Sequence, residues 1–140
     1  MSSDSELRGT WRAGRPASAE ALEALEATYA GLPAAYLARL LAEDGAEGSL
    51  SIEPGWIQLW SAADIAAHNA RYHVTEFLPG FFGFASNGGG ELIAFNTRSL
   101  PWRICMVPFI PMEEAEAVEI APDFETFATH FGKRLPQASK

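Results

Sequence analysis

Cysteine is nearly missing: Cys105 stands alone among 140 residues, so no disulfide forms within the chain. It lies in the apolar run Ile104-Cys105-Met106-Val107, which reads as a place for a small buried hydrophobe in preference to a nucleophile, and a reducing cytosol suits it. Positive charge is also scarce. Ten Lys and Arg face eighteen Asp and Glu, a formal net charge of −8, and no basic cluster exists to neutralise a phosphate backbone. Direct nucleic-acid binding is therefore excluded. No apolar run approaches the ~20 residues that cross a bilayer, and the opening Met-Ser-Ser-Asp-Ser-Glu has no basic segment leading into an apolar one. Neither membrane insertion nor export is expected, and the location implied is cytoplasmic.

Chemical motifs are equally sparse. The only histidines, His68, His73 and His130, lack the one-turn spacing or the nearby Cys and Asp of a zinc site, so no metal is expected. No Gly-Lys-Ser/Thr follows Gly88-Gly89-Gly90, and what comes next continues as a strand, which excludes a phosphate loop. Ser86 and Ser99 lack the Gly-x-Ser-x-Gly context of a nucleophile elbow. Carboxylates are too numerous for any pair to be diagnostic. The sequence implies no catalytic residue and no cofactor.

What is present is a soluble-domain pattern. The centre is Leu78 to Asn96, two apolar runs joined by Asn87-Gly88-Gly89-Gly90, whose residues make positive φ cheap. It reads as a β-hairpin, with Asn87, Gly88, Gly89 and Gly90 as a structural turn. Before it, Ser18 caps a helix over 19–30 that Gly31 stops, and Pro33 opens a second over 34–43 with Tyr36, Leu37, Leu40 and Leu41 on one stripe. Leu50 to Ile52 and Trp56 to Trp60 read as strands around Pro54-Gly55, and Ser61 and Asp64 form a capping box for a third helix. After the hairpin, Trp102 to Phe109 reads as a strand that Pro108 ends or places at an edge, and Ala115 to Ile120 as a short last one. Asp123 then caps a helix with Phe124, Phe127, Ala128 and Phe131 on one face. The expectation is an α+β fold: a central, mostly antiparallel sheet of about five to six strands, with helices from both ends of the chain packed against it. Residues 1–16 read as a loosely held arm around Trp11, 17–134 as one domain, and 135–140 as a tail. At this length a single domain buries roughly 68% of the surface its unfolded chain exposes.

The acidity is concentrated. Glu113, Glu114, Glu116, Glu119, Asp123 and Glu125 follow one another with no Lys or Arg between them. Such a run serves either as a solvated face or as a surface that steers a basic protein partner. Glu91, directly after the glycine turn, either points into a cleft or pairs with Arg98 or Arg103. Trp56, Trp60 and Trp102 suit a core or a binding hot spot.

The order of these features resembles the SUKH superfamily, named after the Smi/Knr-type cell-wall regulators of fungi and their bacterial relatives. The likeness runs through Leu32-Pro33-Ala34-Ala35-Tyr36, Ile57-Gln58-Leu59-Trp60, the helix with Asp64-Ile65 and Asn69, Pro79 to Glu91 with its mid-strand Gly83, and Asp123-Phe124-Glu125-Thr126-Phe127. It covers about residues 30 to 132. Two departures stand out: the first helix lies upstream of the Leu-Pro element, and Pro101 to Pro111 is rich in proline. The resemblance implies a non-enzymatic protein of the immunity type, whose partner is a basic bacterial toxin domain, often a nuclease. On that basis Glu113, Glu114, Glu116, Glu119 and Trp102 are the expected partner contacts. A regulatory or scaffold module of the same fold is the alternative implied, and a small enzyme or ligand-binding protein with a cleft near Glu91 is a third.

Overall fold

A computed structural model describes residues 8–98 and 100–136. Its elements are β1 (Trp11–Arg12), α1 (Ala19–Thr28), α2 (Ala34–Ala42), β2 (Glu47–Ser49), β3 (Trp56–Leu59), α3 (Ile65–Arg71), α4 (Val74–Phe77), β4 (Phe81–Ser86), β5 (Glu91–Asn96), β6 (Arg103–Pro108), β7 (Val118–Ala121) and α5 (Phe124–Ala128). The strands form one seven-stranded sheet in chain order, every neighbouring pair antiparallel. The α+β class is the expected one, and the sheet is slightly larger than the five to six strands read from the sequence. The added strand is β1. Trp11 and Arg12 pair with Gly48 and Glu47, the Trp11 ring stacks on Phe131 at 4.9 Å, and its indole N–H donates to Glu43 Oε1 at 3.0 Å.

Two other elements differ from expectation. The strand placed at 50–52 lies instead at Glu47–Ser49, because Gly48 lets the backbone of Thr10 and Trp11 approach within 3 Å of where a Cβ would stand. Leu41 is 57% exposed, and α2 buries Tyr36 and Leu40 in its place. Two of the caps read from sequence are in position: Ser18 Oγ accepts from Ala21 N at 3.1 Å, and Asp123 Oδ1 from Thr126 N at 2.7 Å. The capping box expected at Ser61 and Asp64 is not formed, because Ser61 Oγ donates to Asp64 Oδ2 at 3.0 Å and α3 starts after Asp64 without a side-chain cap.

The core is aromatic. On one face of β4 and β5, Phe84 and Phe95 stack at 4.3 Å, and Tyr36 of α2 meets Phe84, Phe95 and Phe124 edge-on at 5.2 to 5.5 Å. The residues of these two strands that face the other way, Gly83 and Leu92, lie under Trp60 and Asn69. Both faces of β4 and β5 are thus covered, which is why they read as continuous apolar runs instead of alternating ones.

Asn69 completes the sheet where a strand runs out. β3 ends at Leu59 and its last bond to β4 is Trp60 N to Phe84 O, so Gly83 has no strand on that side. Asn69 Oδ1 accepts from Gly83 N at 2.8 Å and its Nδ2 donates to Gly83 O at 2.8 Å, the pair of bonds a strand residue would make. Glycine suits this position: a Cβ would lie 2.7 Å from Leu92 Cδ1 and 3.2 Å from the Trp60 ring, so any larger residue would force these neighbours to shift.

Candidate partner-binding surfaces

Of the acidic run, Glu113, Glu114 and Glu116 lie in the connection between β6 and β7, Glu119 lies on β7, and Asp123 and Glu125 lie at the start of α5. Several contacts hold that connection in place. Phe109 packs on Tyr72 with ring centroids 4.7 Å apart, while its N–H donates to Gly90 O at 2.9 Å. Met112 is buried, and Glu114 to Glu116 make a single 3-10 turn. Glu114 then closes the loop onto β5: Arg98 donates to it at 2.6 Å, to Asn96 Oδ1 at 3.1 Å, and lies 4.9 Å over the Phe81 ring. This hydrogen bond holds the Glu114 carboxyl below the usual carboxylate range. Between the anchored ends the loop exposes Ile110, whose side chain is 91% accessible.

The expected contacts therefore fall into different settings. Glu119 pairs across the strands with Arg103 at 2.9 Å, so Glu114 and Glu119 are each neutralised by an arginine. Glu113 and Glu116 are exposed and make no ion pair among the described residues. Trp102 is only 8% exposed, with its ring packed toward Phe82 and Phe95. What reaches the surface near it is a cleft of about 200 Å³ lined by Gly31, Pro33, Leu100, Pro101, Asp123 and Phe124 as well as Trp102.

The glycine turn is closed on itself. Asn87 Oδ1 accepts from Gly89 N at 2.9 Å and Glu91 N at 3.0 Å, its Nδ2 donates to Glu91 Oε1 at 2.6 Å, and Gly88 takes φ 76°. Glu91 is thus engaged by Asn87. Neither Arg98 nor Arg103 pairs with it, since both are held by acids of the following loop and strand. The three histidines have separate surroundings: His68 against Trp60, His73 beside Glu76, and His130 bonded to Ser51. Among the described residues no group of three or more His, Cys, Asp or Glu converges as metal ligands would, and no helix is long and apolar enough to cross a membrane.

A family model described as the SMI1 / KNR4 family (SUKH-1) matches residues 16–130. The chain belongs to this family. Among curated proteins there is no match. The SUKH-1 match takes in α1, which the motif comparison had left upstream of the family pattern, and it spans the proline-rich stretch from Pro101 to Pro111. It begins beyond β1, so the Trp11 edge strand lies outside the matched part. The SUKH-1 motif residues Asn69 and Gly83 now have a physical role as partners in the sheet.

One acidic surface escaped the sequence reading. α1 carries Glu20, Glu23 and Glu26, all exposed, and no cation. The available signal was the absence of any Lys or Arg between Arg15 and Arg39.

Proposed function

We propose that this protein is a non-enzymatic, cytoplasmic immunity protein that neutralises a cognate toxin by stoichiometric binding. The observation that carries this is the SUKH-1 match over nearly the whole fold, joined to a loop that holds Glu113 and Glu116 out unpaired. A basic nuclease domain is the partner whose chemistry fits: carboxylates presented on an anchored loop occupy the site that its substrate's phosphates would take, and a net charge of −8 speeds the encounter. Glu113, Glu114, Glu116 and Glu119 are the proposed contacts, two bearing free charge and two shared with arginines. Trp102 contributes through the cleft it floors.

The test is to sequence the neighbouring gene and co-express the chain with the toxin domain expected there; a neighbour without a toxin domain would count against the proposal. Cells are expected to survive the toxin only when the chain is present, and equal killing with and without it would overturn the proposal. The contact surface has a separate test: replacing Glu113, Glu114 and Glu116 together with Lys is expected to weaken toxin binding, most strongly at low salt. Affinity unchanged at both low and moderate salt would remove the loop from the interface.

A further inference from the structure

α1 and α3 run side by side without closing on each other. The positions that face each other are small: Ala21 and Ala24 of α1 on one side, and Ala66 of α3 with Ala62 and Ala63 of the turn before it on the other. The gap is an open hollow of about 400 Å³ that continues, past the shared residues Thr28 and Ala66, into a second of about 380 Å³. Together they make one groove along the full length of α1, floored by the buried Leu25 and Asn69. Asn69 is fixed by its bonds to Gly83, so the floor is rigid.

The charge on this groove has one sign. Glu20 lies at one end and Glu76 at the other, Glu23 and Glu26 stand on the outer side of α1, and no Lys or Arg lines it. The one basic side chain in the lining, His73, lies beside Glu76 at 3.4 Å. Unlike Glu114 and Glu119, the three α1 carboxylates have no cation paired with them among the described residues.

We propose that this groove receives an amphipathic, basic helix of a partner protein, with Ala- or Leu-sized residues seated between α1 and α3 and Lys or Arg flanking them toward Glu20 and Glu76. The alanine-walled half of the furrow accepts apolar residues spaced one helical turn apart, the other half offers Tyr29 and Ala70 beside the polar Thr28, Asn69 and Thr75, and acidic ends select a cationic helix over a neutral one. The groove shares no residue with the β6–β7 loop, so the proposal goes beyond the toxin reading and stands or falls apart from it.

The probe is a synthetic peptide of about four helical turns, with Ala and Leu at i, i+3, i+4 and i+7 and Lys and Arg on both flanks, titrated into the full-length, isotope-labelled chain. Amide shifts are expected on α1 and α3. Ala66→Trp and Ala24→Trp each fill the groove from an exposed position, and each is expected to weaken binding about tenfold or more while the fold, followed by circular dichroism, is kept. Glu20→Lys with Glu76→Lys is expected to weaken it as well. The proposal is overturned if both tryptophan variants, folded, retain full affinity. Equal binding of a peptide of the same charge with its apolar residues scrambled also overturns it. So does sedimentation showing that the tryptophan variants abolish self-association, since the occupant would then be a second copy of this chain.

Discussion

Asn69 and Cys105 are both buried, yet chemistry gives them opposite sensitivities. Asn69 is the rarer case, a buried polar residue whose hydrogen bonds replace those of a missing strand. Asn69→Ala leaves the N–H and C=O of Gly83 unpaired inside the protein, and should lower unfolding free energy by about 2–4 kcal/mol in a urea titration. A loss comparable to an ordinary surface substitution would show that water replaces the amide. Cys105 is 5% exposed, and burial first, then the charge of Glu119, pushes its thiol up to about 11. A raised value means the thiol stays protonated near neutrality. At pH 8 its thiolate population is roughly a hundredfold lower than in the unfolded chain. Labelling by a thiol reagent should therefore be slow in buffer and rapid in denaturant, and fast labelling of the folded chain would contradict the burial.

At the scale of elements, α1 and α5 begin at the caps Ser18 and Asp123, and the cap of α5 adds a pH dependence. Asp123 accepts the Thr126 N–H, and that bond holds its carboxyl below the ordinary 3.8. A carboxyl lowered in the folded state contributes stability that is complete above its unfolded value and is lost as pH falls through the folded one. The difference in melting midpoint between the wild type and Asp123→Ala is expected to be full at neutral pH and to shrink as pH drops below the ordinary value. A difference that stays constant down to strong acid would mean the carboxylate charge plays no part. The β6–β7 loop is governed in the same local way. Arg98 joins Phe81, Asn96 and Glu114, so Arg98→Ala is expected to speed amide exchange between Phe109 and Ala117 and to leave the β4–β5 pairing protected.

For the whole molecule, two opposing electrostatic effects set the response to salt. Screening weakens the surface pairs Arg98–Glu114 and Arg103–Glu119, each of small worth, and it also relieves the self-repulsion of a chain carrying −8. Repulsion is the larger because most carboxylates among the described residues, those of α1 included, have no cation beside them. The melting midpoint at pH 7 is thus expected to rise as sodium chloride goes from near zero to ~0.15 M, and a fall would give the ion pairs the greater weight. The α+β class, the hairpin and the caps of α1 and α5 were legible in the chain because each rests on spacing within a few residues: a turn residue, a cap, a periodic apolar stripe; the family was legible because such local features follow one another in a set order. Four things were decided only by tertiary structure. β1 is a strand because Gly48, far along the chain, lets Trp11 come close. Leu41 faces water because α2 turns Tyr36 and Leu40 inward to the phenylalanines. Glu114 and Glu119 lose their free charge to Arg98 and Arg103, whereas Glu113, three residues from Ile110, keeps its own. The groove between α1 and α3 exists because helices distant in sequence meet through alanines. The local rules carry the elements, while charge pairing and concavity depend on which side chains are brought together from afar, and a linear pattern does not contain that.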